Sequence, residues 1–228
     1  MKIEIWSDIA CPYCYVGNEN FENALKEFGH KSEIEIVMHS FELEPNIRAN
    51  TGERQHQAVM RKYHQTPGQA QYTLDMATLA GKQAGIKIDF DKVITTNTLD
   101  AHRLMKFAES KDKGTEIKNA LFKAYFSDGR HIGNKETLAA IAIENGLDAD
   151  SMLKSDAYFH EVRHDEARAQ HLGINSVPYF TFNDQHVIAG ARPVGVFVQI
   201  LEQFWQEENV NTNAKNATAG CEGGACTI

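Results

Sequence analysis

The sequence predicts an α/β fold interrupted by an α-helical insertion. Three observations carry that expectation. The first 40 residues read strand–helix–strand, the middle of the chain switches to helical periodicity, and the last third returns as helix, strand, strand, helix. A strand–helix–strand opening is the parallel crossover unit, because parallel neighbours need a long connection.

Residues 2–6 alternate polar and apolar, with Ile3 and Ile5 on one face, as in a strand. Ser7 to Ala10 form a loop. Cys11-Pro12 then opens a helix, since proline in the first turn lacks only an amide that has no helical partner there. Val16, Phe21, Leu25 and Phe28 lie along one side of it, and Gly29 stops it. Residues 34–38 read as the second strand. Helical segments are expected near 53–84, 91–110, 114–126 and 134–146, punctuated by Gly85, Gly114, Gly129 and Gly146. A helix near 157–172 ends at Gly173. Two strands, 179–182 and 187–189, flank an Asn183-Asp184 turn, and a last helix near 194–208 carries Val196, Ile200, Leu201 and Phe204. Residues 209–228, rich in Asn, Thr, Ala and Gly, are expected to be a flexible tail. With the helical block removed the order is thioredoxin-like. The expected organisation is therefore a thioredoxin-like domain in two parts, 1–48 and 156–208, around a helical insertion at 49–155.

The 228 residues carry 23 Lys+Arg against 31 Asp+Glu, a formal net charge of −8. That balance argues against binding a nucleic-acid backbone. No apolar run approaches the ~18 residues of a membrane span. The N-terminus has no apolar stretch followed by a small-residue cleavage site, so a cytoplasmic location is expected. Thiols there stay reduced, which makes four cysteines reactive pairs or metal ligands before structural staples.

Cys11-Pro12-Tyr13-Cys14 falls where a predicted strand gives way to a predicted helix. The first sulfur then sits against unpaired amides and the positive end of the helix dipole, which lowers a thiol below its free value of ~8.5. Cys14, one turn on, is placed to attack a mixed disulfide at Cys11, while Pro12 and Tyr13 shape the turn and face the partner. A C-x-x-C in this context signals redox chemistry; the plain alternative is two half-buried thiols. Val177-Pro178 precedes a strand, where a proline without a ladder donor is tolerated, as an ordinary trans residue or a cis one.

Cys221 and Cys226 form a second pair on the tail, read as a shuttle dithiol, a metal-binding or sensing pair, or an uninvolved tail. A zinc site built from both pairs is disfavoured, since structural zinc knuckles are compact. No metal is expected. With no Walker loop, G-x-G-x-x-G or G-x-S-x-G, no cofactor is expected either. His160 and His164 share a helix face, read as solvated. Asn97, Thr98, Asp100, His102 and Arg103 either face a cavity between the two parts or pack them together. His39 has no readable role. Phe41, Tyr63, Tyr72, Phe107, Phe122, Tyr125 and Phe126 have helical spacing, read as core before substrate pocket.

Taken together, Asp8-Ile9-Ala10-Cys11-Pro12-Tyr13-Cys14, the segment from Gly173 to Phe180, and Gly190-Ala191-Arg192-Pro193 resemble the DsbA-type thioredoxin-fold oxidoreductases. Asn97-Thr98-Leu99-Asp100-Ala101-His102-Arg103-Leu104 is similar to a second signature, that of the FrnE-like branch. The resemblance spans about residues 1–208. It implies a thioredoxin core with a helical insertion, dithiol–disulfide exchange by Cys11 and Cys14, and a cis bond before Pro178. Val177 and Pro178 would then be a backbone platform for the partner. The implied partners are thiol- or disulfide-containing proteins, or small thiols such as glutathione. Some FrnE-like proteins carry a C-terminal pair placed like Cys221 and Cys226, which implies an accessory redox role. One departure is Pro-Tyr between the cysteines, where the best-known DsbA proteins have Pro-His. The expected function is a thiol–disulfide oxidoreductase. The alternatives are a glutathione-dependent isomerase-like enzyme acting on a small aromatic substrate, or a redox or metal sensor.

Overall fold

The computed structural model describes residues 1–219, with residues 210–219 by their backbone alone. Strand β1 (Lys2–Ser7) leads into helix α1 (Pro12–Glu27), and β2 (Glu35–Ser40) returns beside β1. The two strands pair in parallel, Ile3 opposite Ile36 and Ser7 opposite Ser40. Six helices follow: α2 (Gln55–Tyr63), α3 (Pro67–Gln83), α4 (Leu99–Glu109), α5 (Gly114–Lys123), α6 (Lys135–Glu144) and the short α7 (Asp150–Leu153). The chain returns through α8 (Phe159–His171), β3 (Tyr179–Phe182), β4 (His186–Ala189) and α9 (Val194–Ala219). The sheet order is β2-β1-β3-β4, with β3 antiparallel to both neighbours. This is the α/β thioredoxin-like fold with a helical insertion.

Two of the four apolar clusters among the described residues bear on the site. Phe21, Phe180, Phe182, Phe197 and Leu201 pack α1 and α9 against the sheet. The larger core belongs mostly to the insertion, yet it includes Ile9, Cys11, Cys14, Tyr15 and Val16. Tyr15 stacks on Phe122 with ring centroids 5.2 Å apart. The insertion is thus packed directly onto the dithiol end of α1.

Four expectations change. The segment 53–84 is two helices, because Pro67 has no amide to continue the first; His64 ends it with φ 51° and Thr66 caps the second. Residues 91–98 are not helical: the Thr95 amide donates to Glu53 O (2.9 Å), and α4 starts only where Asn97 Oδ1 accepts from the Leu99 amide (2.9 Å). The segment expected at 114–126 ends as a π turn, Ala124–Asp128, closed by Gly129 at φ 71°. Last, α9 runs on to Ala219, past the expected end at 208. No glycine or proline intervenes between Gly195 and Gly220 to stop it.

Candidate active site

Cys11 is the N-cap residue of α1, in extended backbone (φ −94°, ψ 115°), with Pro12 in the first turn. Its carbonyl accepts from the amides of Cys14 (3.0 Å) and Tyr15 (3.3 Å), and its own amide donates to Asp8 O (3.1 Å). Both cysteines are free thiols. Cys11 keeps 6% exposure and lines a cavity, whereas Cys14 keeps 1%, does not line that cavity, and lies among Ser7, Asn18 and Pro178. Burial, then the neighbouring Cys11, pushes the Cys14 thiol well up. Cys14 is therefore held protonated while Cys11 faces the open space.

The Val177–Pro178 bond is cis, and the Cys11 thiol contacts Val177 O at 3.6 Å. This loop approaches α1 at Gly17, where a Cβ would stand 3.0 Å from Pro178 Cγ and 3.5 Å from the Ala191 backbone. Any side chain there would require the Pro178 ring to give by a few tenths of an ångström.

The cavity, about 310 Å³, lies between the dithiol and the insertion. Cys11, Pro12 and Tyr13 form one wall; Val59, Lys62, Tyr63, Leu74, Thr98 and Tyr125 contribute to the other. Asp8 also borders it. Its Oδ2 accepts from the Leu43 amide (2.7 Å) and its Oδ1 from the Ala10 amide (3.1 Å), with His102 Nε2 3.4 Å away. Burial opposes its charge, but His102 and the two amides together hold the carboxyl below the usual range. His102 is fully buried, and neither ring nitrogen has a hydrogen-bond partner. Nearby, burial pushes Glu42 up to about 6 although Arg163 Nη1 bonds its Oε2 at 2.6 Å.

A second buried charge cluster ties the sheet to α4 and α8. His39 Nδ1 faces Asp165 Oδ1 (2.7 Å), its Nε2 faces Glu4 Oε1 (2.9 Å), and its ring stacks on Trp6 at 4.4 Å. Lys106 pairs with Asp165 (2.8 Å) and Arg168 with Glu4 (2.8 Å). His39 thus has a clear structural place that its position in the sequence does not announce.

The sequence-singled residues separate by place. Cys11, Pro12, Tyr13, Thr98, Tyr63 and Tyr125 meet at the cavity; Val177 and Pro178 meet the dithiol from the other side. Arg103 spends its guanidinium on the carbonyls of Ala157, Met152 and Ser155, so it packs rather than binds. Asp100 pairs with Arg103 (2.6 Å), and Asn97 bridges to Pro45 O (3.1 Å). His160 and His164 are exposed. Phe122 and Phe126 are core, while Tyr72 is 67% exposed. Cys221 and Cys226 lie outside the described residues. Lys62 was not legible as a site residue, being one lysine among many on a helix. Asp8, the single acid in the loop before Cys11, carried a signal by position.

A dithiol at a helix start, met by a proline loop on a four-stranded sheet, defines the DsbA-like class of thioredoxin folds. The chain belongs to the DSBA-like thioredoxin domain family, whose model matches residues 2–202. It is similar to a probable DsbA oxidoreductase of Streptomyces coelicolor, with 35% identity, 91% of each chain covered and a TM-score of 0.85. It is also similar to the uncharacterized protein YwbO of Bacillus subtilis, 29% identical over 206 residues, which are 88% of this chain and 96% of that one. A 2-hydroxychromene-2-carboxylate isomerase shares the fold at 15% identity, with 94% of this chain and 98% of that chain covered and a TM-score of 0.69.

Proposed function

We propose that the protein is a thiol–disulfide oxidoreductase of the FrnE-like branch, acting in the cytoplasm through Cys11 and Cys14. The observation that carries this reading is the asymmetry of the pair: Cys11 caps α1 and borders the cavity, while Cys14 is buried away from it with its thiol pushed up. In the reducing direction the Cys11 thiolate attacks a disulfide, forming one S–S bond and expelling one thiolate. Cys14, losing its proton, then attacks Cys11 and expels the second. Two electrons pass from the dithiol to the substrate, and the reverse sequence oxidises a dithiol partner. Pro12 and Tyr13 contact the partner from the helix side, Val177 and Pro178 from the loop side. Direction depends on potential, since ~30 mV corresponds to ~1.4 kcal/mol. Cys221 and Cys226 act as an accessory pair that exchanges with Cys11.

Cys14→Ser is expected to trap mixed disulfides with partners, and Cys11→Ser to abolish insulin-type disulfide reduction. Trapping by the Cys11 variant and not the Cys14 variant would reverse the roles. An isomerase reading of the same cavity leaves Cys14 dispensable, and a sensor reading leaves turnover absent, so both are tested by the same variants. Removing residues 220–228 is expected to slow turnover with at least one protein partner. Unchanged turnover with every partner, with tail cysteines that stay reduced when Cys11–Cys14 is oxidised, would make the tail passive.

A further inference from the structure

Helix α3 carries two apolar faces, and the fold of one chain uses only one of them. Ala70, Leu74, Ala77 and Gly81 are buried, and Leu74 and Ala77 line the cavity beside Cys11. On the opposite side of the helix Tyr72, Met76 and Leu79 are 67%, 41% and 47% exposed. Among the described residues no other helix or strand exposes more than one large apolar side chain. Single exposed apolar residues are ordinary on a protein surface, but a row of them on one helix marks a contact face. Tyr72, Met76, Leu79 and Gln83 follow one another at spacings of four, three and four. That is the 3.5-residue repeat of a helix–helix seam, in which each side chain fits between those of a facing helix. No charge interrupts it.

The charges stand at its edge. Asp75 and Lys82, seven residues apart, lie on the same flank of the seam. Both are exposed. Asp75 accepts from Gln71 Nε2 (2.8 Å), and neither charge has an ion-pair partner among the described residues. An antiparallel copy of α3 brings Asp75 level with Lys82 of the copy, and Lys82 level with its Asp75. A parallel copy places Asp75 opposite Ala80 and leaves both charges unmatched.

We propose that this outer face of α3 is a homodimer interface, on which a second copy of the chain lays its own α3 antiparallel about a two-fold axis. Met76 of each chain then packs against Leu79 of the copy and Tyr72 against its Gln83, while the two Asp75–Lys82 pairs close one flank. The contact uses the same patch on both chains, so it ends at two. Its size follows from the helix, whose 17 residues at ~1.5 Å each give a seam ~25 Å long. That lies at the small end of protein–protein interfaces, so the dimer dissociates on dilution.

The test is the molar mass of the full-length protein, kept reduced so that no cysteine links two chains, by light scattering and sedimentation over a dilution series. At the concentrated end the mass is expected to approach twice the 25.6 kDa of one chain, and to fall toward that value on dilution. Met76→Glu sets a charge into the seam and is expected to leave the mass of one chain at every concentration. Asp75→Lys and Lys82→Asp each turn the attractive pairs into repulsive ones and are expected to weaken the dimer about ten-fold. The variant carrying both changes restores the pairs with their signs exchanged, and with them the wild-type dissociation constant. All these side chains face solvent in the single chain, so an unchanged circular dichroism spectrum is expected to separate loss of the dimer from loss of the fold. A wild-type mass of one chain throughout overturns the proposal, as does a dimer that Met76→Glu leaves intact. A doubly changed variant no tighter than the single ones overturns the antiparallel pairing.

Discussion

Cys11 and Cys14 differ by burial and by place on one helix, three residues apart. That difference predicts unequal reactivity. Cys11, capping α1 at the cavity, is expected to alkylate faster than Cys14 at pH 6–7, because the cavity admits the reagent while burial keeps the Cys14 thiol protonated. Peptide mapping after timed alkylation reads the two rates, and equal rates would defeat the argument from burial. Gly17 is the other decisive residue. Gly17→Leu forces a side chain against the Pro178 ring and the Ala191 backbone. Overpacking of this kind costs ~1–3 kcal/mol. A lowered denaturation midpoint is expected, together with slower exchange as the Pro178 loop is pushed from the dithiol. A variant with wild-type stability would show that this contact gives way freely.

At the scale of elements, β1, β2, α4 and α8 are joined by charge as well as by apolar packing. Glu4 and Asp165 face the two nitrogens of His39, at 2.9 and 2.7 Å. Burial works against both carboxylates, yet His39 and the surrounding cations hold each below its usual range. Their contribution to stability is accordingly present above the unfolded-state values of ~3.9 for Asp and ~4.3 for Glu, and is lost as pH falls through the lower folded-state values. Acid unfolding is expected below about pH 4. His39→Gln removes the ring that bridges two buried acids, a change of ~3–5 kcal/mol when one partner of a buried pair is lost. It should also move the onset of acid unfolding to higher pH. Circular dichroism across pH 2–7 checks both, and an onset identical to wild type would dismiss the clamp.

Across the whole molecule, the insertion is not an appendage. Its core contains Cys11, Cys14 and Tyr15, and Tyr15 stacks on Phe122. The two parts are therefore expected to unfold together. Urea titration should give one transition, coincident by fluorescence and circular dichroism. Phe122→Ala is expected to cost ~3–5 kcal/mol and to speed alkylation of Cys14 by loosening the seal over it. Two separate transitions would mean that the insertion folds on its own.

Much of this was legible along the chain. Alternation in residues 2–6 and 179–182, proline after Cys11, and the spacing of the cysteines each act over a few residues, so they determine strand, helix start and dithiol without help from distant contacts. The break at Pro67 was equally local, although helical periodicity on both sides of it hides the boundary. What only the tertiary structure decided depends on residues far apart in sequence. His39 acquires its partners 35 and 126 positions away, in Glu4 and Asp165. Lys62 is one more surface lysine until the fold brings α2 and the start of α1 to one cavity, which both Lys62 and Cys11 line. Propensity and periodicity act along the chain, whereas burial and electrostatics depend on distance through space. The sequence by itself therefore determined where the reactive sulfurs sit, and the folded chain decided what surrounds them.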